Sequence, residues 1–455
     1  MADAETIFAL ATGPAPAGVA MVRVSGPSAG AALLALSGLD ALPPARLATR
    51  ATLRAHAGEP LDDGLLLWFP APASFTGEDV AEFHIHGGRA VIEAMLAALG
   101  ARAGLRMAEA GEFTRRAFLN GKLDLTAVEG LADLIAAETE AQRRQAQRQA
   151  SGELARLYDG WRAALVRALA HAEAAIDFAD DEVPEETAVR ARLEVAALDA
   201  RIADHLADGG RAERLRHGLT IVVAGRPNAG KSSIINVLAR REVAIVAPLA
   251  GTTRDIIEAH LDLGGYPVTL VDTAGLRDAG AGLPTDTGGH GAVEAEGIRR
   301  AEARARAADV RLVVVEAGRW PALEPALADL IDERTLIVIS KTDLVSGAWP
   351  ERHLGRPVWP VSVISGAGMA ALVAALVSEA RERCGSGRDL GVTRERHRQA
   401  LEACRAALGR FVAGGPPDLA AEDLRVSVRA LGRITGRVDV EELLDTIFRD
   451  FCVGK

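Results

Sequence analysis

Cysteine is nearly missing from this chain, aromatic residues are sparse, and no long apolar run occurs. The three cysteines, Cys384, Cys404 and Cys452, show no C-x-x-C spacing. That argues against a disulfide framework or a zinc site and fits a reducing, cytoplasmic setting. No stretch approaches eighteen apolar residues, so neither a membrane span nor a membrane partner is expected. The N-terminus, MADAETIF, has no basic segment before an apolar core, and no signal peptide is read. A cationic excess is lacking as well. With 52 Lys and Arg against 62 Asp and Glu, the net charge of -10 excludes an indiscriminate nucleic-acid coat, though not a local basic patch. Aromatics make up only 4%, yet 49% of the 455 residues are apolar. The chain can therefore bury ordinary cores, divided among about two to four domains.

What is present is organised around residues 219–235, LTIVVAGRPNAGKSSII. An apolar run leads into G-x-x-x-x-G-K-S (Gly225, Gly230, Lys231, Ser232) and a helical pattern follows. Glycines let backbone N–H groups curl around phosphate, a lysine neutralises the β and γ oxygens, and a serine hydroxyl reaches magnesium. Asn228, Ala229, Gly230, Lys231, Ser232 and Ser233 are the binding candidates here.

Around this loop the chain divides into four segments. Residues 1–120 mix strands (18–24, 64–69, 80–85) with a helix at 90–99, which reads as α+β. Ser25 is a plausible N-cap for a helix opening at Ser25-Gly26-Pro27. Arg23 and Glu82 sit in strands among apolar neighbours, either as edge charges or as ligand-binding groups of one pocket. Residues 121–217 are rich in Ala, Glu, Arg and Gln with apolar positions at helical spacing, which reads as a helical domain. Arg143, Arg144, Arg148 and Arg156 there form a solvated helix face or a tRNA-binding surface. Residues 218–384 alternate strands (219–224, 268–271, 310–315, 336–339, 358–363) with helices, predicting a mainly parallel sheet covered on both faces. A joint at 384–387 returns the chain to helices at 392–408 and 422–449, so residues 385–455 rejoin the helical part. The fold class is multidomain, α/β and α, with an inserted P-loop domain.

Three further motifs define the chemistry of the insert. Asp272-Thr273-Ala274-Gly275 follows the strand 268–271, where a magnesium-facing aspartate and a γ-phosphate-sensing glycine belong. Thr252 and Thr253 lie in GTTRD (251–255), a loop whose hydroxyl can reach magnesium once a γ-phosphate is present. Ser340-Lys341-Thr342-Asp343 follows the strand 336–339. The Asp343 carboxylate can accept the N1–H and amino protons of guanine, a donor pair adenine lacks, which selects GTP. Ser340 replaces the asparagine usual at its position in GTPases. Leu276 stands where Ras-like enzymes carry a water-orienting glutamine. Another group must therefore position water, and the nearest downstream carboxylates are Asp278, Asp286, Glu294 and Glu296.

GRPNAGKSS (225–233), AGTTRD (250–255), DTAGLR (272–277), SFTGEDVAEFHIHGG (74–88), NGKLDLTAVEGLADLI (120–135) and the terminal FCVGK (451–455) together resemble the MnmE, or TrmE, family of tRNA-modifying GTPases. The resemblance runs end to end. It implies GTP as substrate, with Ala247 and Ser362 completing the nucleotide contacts and Ser232 and Thr253 holding Mg2+. It implies K+ on Asn228, Thr252 and the carbonyls of Ala247 and Leu249, and Glu294 acting through water in hydrolysis. It makes the N-terminal domain a folate-binding-like and dimerisation domain. There Arg23, Glu82, Lys122 and Lys455 contact 5-formyl- or 5,10-methylene-tetrahydrofolate, and Cys452 is the family's C-terminal cysteine. The implied partners are a second copy of the chain, tRNA, and the flavoprotein MnmG (GidA) in a heterotetrameric complex. Together they add an aminomethyl-type or carboxymethylaminomethyl group to carbon 5 of the wobble uridine. The competing readings are a ribosome-assembly GTPase of the Era or Der kind, lacking here a second P-loop or a G-x-x-G clamp, and a plain regulatory switch.

Overall fold

The structure, a computed structural model, describes residues 5–55, 58–177, 185–208, 210–241, 258–272, 303–385, 390–438, 444, 447, 448, 451, 453 and 454. The chain separates into two compact units, one of residues 1–132, 148–192 and 406–455, the other of residues 133–147 and 193–405.

In the first unit, β1 (Thr6–Leu10), β2 (Ala17–Ser25), β3 (Thr49–Arg54), β4 (Pro60–Phe69), β5 (Val80–Gly87) and β6 (Leu105–Met107) form one sheet in the order β3-β4-β5-β2-β1-β6. Pairing is antiparallel except between β1 and β6. The period-2 alternation of strands explains the division of its faces. Val22, Val24, Ala81, Phe83 and Ile85 turn into a core covered by the helices Ala29–Ser37 and Arg89–Gly100, where Leu33, Leu36, Met95 and Leu99 are buried. The residues between them, Arg23, Glu82 and His84, lie on the opposite face.

Ser25 does not cap a helix. It ends β2, where its hydroxyl meets Thr76 Oγ1 and Glu78 Oε2, each at 2.7 Å, and the helix begins only at Ala29 with Ser28 at the N-cap position. The buried hydroxyl is thus satisfied from a neighbouring loop rather than by helix N–H groups.

Two long helices complete this unit. Tyr158, Trp161 and Leu165 from Glu153–Asp177 and Leu424, Leu431 and Ile434 from Pro417–Thr435 are buried at helical spacing. Arg425 pairs with Glu173, and Arg437 with Asp159. The helix expected at 422–449 is interrupted: the described residues 444, 447 and 448 are helical again, but its first part ends at Thr435. Gly436 takes the left-handed C-cap conformation there (φ 82°), and any Cβ on it would meet the Phe118 ring at 2.7 Å. The tail is fixed to the sheet end: Val453 bridges Ala110, and Gly454 abuts the Leu10 carbonyl.

The second unit holds β7 (Leu219–Gly225), β8 (Glu258–Leu263), β9 (Tyr266–Asp272), β10 (Val310–Glu316), β11 (Thr335–Ser340), β12 (Arg352–His353) and β13 (Arg356–Pro360) in the order β12-β13-β11-β10-β7-β9-β8. The five inner strands run parallel and the edge strands β8 and β12 antiparallel. Inner strands covered on both faces read as near-continuous apolar runs, as LVVV (312–315) in β10 and LIVI (336–339) in β11 do. β13 closes at Pro360, short of the expected residue 363, because Ser362 enters a turn closed by Gly366 N–H to its carbonyl at 2.9 Å. In this unit Arg405 pairs with Asp199, while Asp133 takes both Arg216 and Arg394 at 2.9 Å. No helix of the described residues is long and apolar enough to cross a membrane.

Candidate functional site

Ligands of open parallel sheets lie beyond the carboxyl ends of the strands, and three of the motifs meet there among the described residues. β7 runs into the loop 225–231. Gly225 has no side chain because a Cβ would stand 2.5 Å from the Val314 carbonyl of the paired β10. Gly230 has φ 90° and Asn228 φ 62°, so the loop contains a non-glycine residue in the left-handed region. Lys231, 5% exposed, opens the helix Lys231–Arg241 and donates to the Arg226 carbonyl at 2.9 Å, which holds its ammonium across the loop.

The neighbouring strand ends supply the remaining groups. Asp272 closes β9 and accepts from Ser232 Oγ at 2.8 Å. A hydroxyl and a carboxylate side by side at the mouth of a phosphate loop are the oxygen ligands magnesium prefers. At the end of β11, Lys341 is left-handed (φ 55°) and its ammonium meets Glu316 Oε1 at 3.0 Å. Asp343 follows in a short turn, where Ser362 Oγ donates to its Oδ1 at 2.5 Å. Ser362 itself accepts the Ser365 N–H at 3.2 Å, so its single proton is directed to Asp343. Buried Ser340 donates to the Ala229 carbonyl at 2.6 Å, joining the third motif to the first.

A second polar site lies on the other face of the N-terminal sheet, where Arg23 and Glu82 are largely buried. Register pairs Arg23 with Glu82, and the guanidinium donates to Glu82 Oε1 at 3.0 Å. The rings of Phe75 and Phe113 stand 5.4 and 5.9 Å from the Arg23 guanidinium carbon. His84, two residues along the same face, approaches the other Glu82 oxygen at 3.5 Å. Lys122 donates to the Pro72 carbonyl at 2.9 Å, in the loop 70–79 that also carries Phe75.

Comparison with known proteins decides the family. The family model "MnmE helical domain" matches residues 125–452, and "GTP-binding protein TrmE N-terminus" matches residues 6–122. The chain is 54% identical to the tRNA modification GTPase MnmE of Rhodospirillum rubrum over 99% of both chains. The chain belongs to the MnmE (TrmE) family.

Other relatives of this family member include a mitochondrial 5-taurinomethyluridine tRNA synthase subunit of Rattus norvegicus, 49% identical over 99% of this chain and 93% of that one. Among solved structures, a point variant of Aquifex aeolicus Era bound to GDP.AlF4- is 20% identical, with TM-score 0.27, over 43% of this chain and 68% of that chain.

Of the residues named from sequence, the structure brings together Asn228, Ala229, Gly230, Lys231, Ser232, Ser233, Asp272, Ser340, Lys341, Asp343 and Ser362 at the carboxyl ends of the inner strands. Arg23 and Glu82 pair at the N-terminal site, while Lys122 is bonded to the Pro72 carbonyl. Ala247, Leu249, Thr252, Thr253, Thr273, Ala274, Gly275, Glu294, Cys452 and Lys455 lie outside the described residues.

Sequence reasoning passed over Glu316, Phe75, Phe113 and His84. Only alternation along β5, which puts His84 on the Glu82 face, was a usable signal. The arginine run has local partners: Arg143 and Arg144 pair with Glu140, Arg148 pairs with Glu153, and Arg156 bonds the Ser151 carbonyl. This favours the solvated-face reading of those arginines. Cys384 and Cys404 are buried; burial pushes the Cys384 thiol up to about 12, so it is not a thiolate nucleophile.

Proposed function

We propose that this chain is a potassium-dependent GTPase that works as a homodimer with the flavoprotein MnmG (GidA). Together they add a carboxymethylaminomethyl or aminomethyl group to carbon 5 of the wobble uridine of tRNA. As a member of its family the chain is a GTP hydrolase taking part in tRNA modification. The observation that carries the finer reading is the coexistence of two sites in one chain, a guanine-nucleotide edge and a carboxylate–guanidinium pair lined by aromatic rings. A signalling switch or a ribosome-assembly GTPase has no use for the second.

Each group has a role its chemistry allows. Lys231 and the N–H groups of residues 229–233 bind the β and γ oxygens, and Asp343, aimed by Ser362, selects guanine. Ser232 and Asp272 fit magnesium, which with Thr253 would supply charge neutralisation at the phosphates. Asn228, with Thr252, Ala247 and Leu249, would hold potassium, a fixed positive charge that removes the need for an arginine from a partner protein. Leu276 cannot orient water, and the family resemblance gives that role to Glu294. Apposition of two GTPase domains is what would activate hydrolysis. On the N-terminal face Glu82 accepts N–H groups of a reduced folate, Phe75 and Phe113 flank its ring, and Lys122 and Lys455 meet its carboxylates. Cys452 lies beside that site in sequence.

Nucleoside analysis of tRNA from cells lacking this protein tests the proposal. The modified wobble uridine should vanish and return with the wild-type chain; an unchanged nucleoside profile would refute it.

A further inference from the structure

We propose that Ser340 is a positioning residue whose hydroxyl ties the guanine-recognition turn to the phosphate loop and makes no contact with the base. The inference rests on the reading of Asp343 as the guanine acceptor and adds to it. Ser340 closes β11 and is 2% exposed. Its Oγ lies 2.6 Å from the Ala229 carbonyl and 3.4 Å from that of Val315. Both neighbours are acceptors, and a hydroxyl carries one proton. That proton is committed to the loop 225–231 across 111 residues of sequence. The loop packs directly on Ser340: a Cβ built at Gly230 would lie in ordinary contact with Ser340 Cβ, at 3.7 Å.

The consequence concerns how the base is held. Guanine presents donors at N1 and its amino group and acceptors at O6 and N7. Asp343 matches the donor edge. Ser340 has no second proton for the acceptor edge, so it acts on the nucleotide only by keeping Lys341 and Asp343 in register with the loop that holds the phosphates. Losing the tether loosens base and phosphate recognition together, whatever occupies position 7 of the base.

The test uses the full-length protein with GDP and 7-deaza-GDP, which lacks the N7 acceptor, chased from the site by a fluorescent GDP competitor. The wild type should bind both equally. S340A should speed release of both by the same factor, about five- to tenfold, while S340T, which keeps the hydroxyl, stays within about twofold of the wild type. Weaker wild-type binding of 7-deaza-GDP, or an S340A effect seen with GDP alone, would mean that the hydroxyl meets the base and would overturn the proposal. Wild-type release rates in S340A would overturn it too. Should S340A not fold, S340C, nearly isosteric and a weak donor, takes its place: faster release of both ligands supports the tether, and wild-type rates refute it. A wild type that binds ADP as well as GDP would instead remove the Asp343 reading, a result distinct from any difference between GDP and 7-deaza-GDP.

Discussion

Changing Asp343 to asparagine should convert the base preference from guanine to xanthine, and the structure says which way the amide will turn. Ser362 Oγ donates to Asp343 Oδ1 at 2.5 Å and itself takes the Ser365 N–H. In D343N the Ser362 proton still requires an acceptor, so the amide oxygen occupies the Oδ1 place and the NH2 group the Oδ2 place. The guanine amino group then faces a donor. It loses one hydrogen bond to a charged acceptor, worth about 1.5–3 kcal/mol, and is left unsatisfied, at a cost of about 1–3 kcal/mol. The sum, about 2.5–6 kcal/mol, weakens GDP by roughly 10²–10⁴. Xanthine, which carries an oxygen at carbon 2, finds that NH2 group as a donor and binds more tightly than it does to the wild type. Competition of GDP and XDP against one fluorescent nucleotide measures both affinities. Adding S362A to D343N should blunt the switch, because nothing then fixes the amide. A D343N protein whose GDP affinity stays within about tenfold of the wild type, with XDP no tighter, would refute the geometry.

Other expectations follow from the same contacts. Calorimetry should show formyl-tetrahydrofolate binding to the wild type and loss of about 10²-fold or more in Glu82→Ala, where two hydrogen bonds to a charged group disappear; equal affinities would remove the folate site. Exchange of potassium for sodium should slow GTP turnover about tenfold or more, as expected for loss of a fixed charge at the phosphates, and equal rates in the two salts would exclude a catalytic cation. Burial works to raise the Glu112 carboxyl, yet the hydrogen bonds from Arg106, the Glu109 N–H and Arg116 prevail and hold it at about 2 against an ordinary 4.5. Its stabilisation is therefore complete above pH 4.5 and is lost as pH falls toward 2. E112Q should lower stability at pH 7 by about 1–2 kcal/mol after solvent screening is allowed for, and the gap to the wild type should close in melts at acid pH. A gap independent of pH would assign the loss to packing.

The nucleotide site was legible in sequence because its groups come in short motifs, each behind its own strand. Gly225 through Ser233 needs only local backbone to form a phosphate loop, and Asp272, Ser340 and Asp343 each follow an apolar run. Local pattern misled at the edges of elements. Ser25 resembled a cap because serine before glycine and proline often is one, but its hydroxyl was claimed by Thr76 and Glu78 from a loop some fifty residues away. The single helix expected over 422–449 is broken at Gly436, where a left-handed turn packs against Phe118, and helical residues resume at 444, 447 and 448.

By itself the sequence determined the guanine-nucleotide chemistry, the order of α+β, helical and α/β segments, and the residue types able to bind phosphate, base and magnesium. Tertiary structure alone decided the pairings between motifs far apart in the chain. It set Arg23 against Glu82 by strand register, aimed Ser362 at Asp343, and turned the Ser340 hydroxyl into the phosphate loop. The physical reason is directional. Residue type fixes what a side chain can donate or accept, but a hydroxyl's single proton goes to whichever acceptor the fold brings within about 3 Å, and that choice depends on strands meeting side by side rather than on their neighbours in sequence.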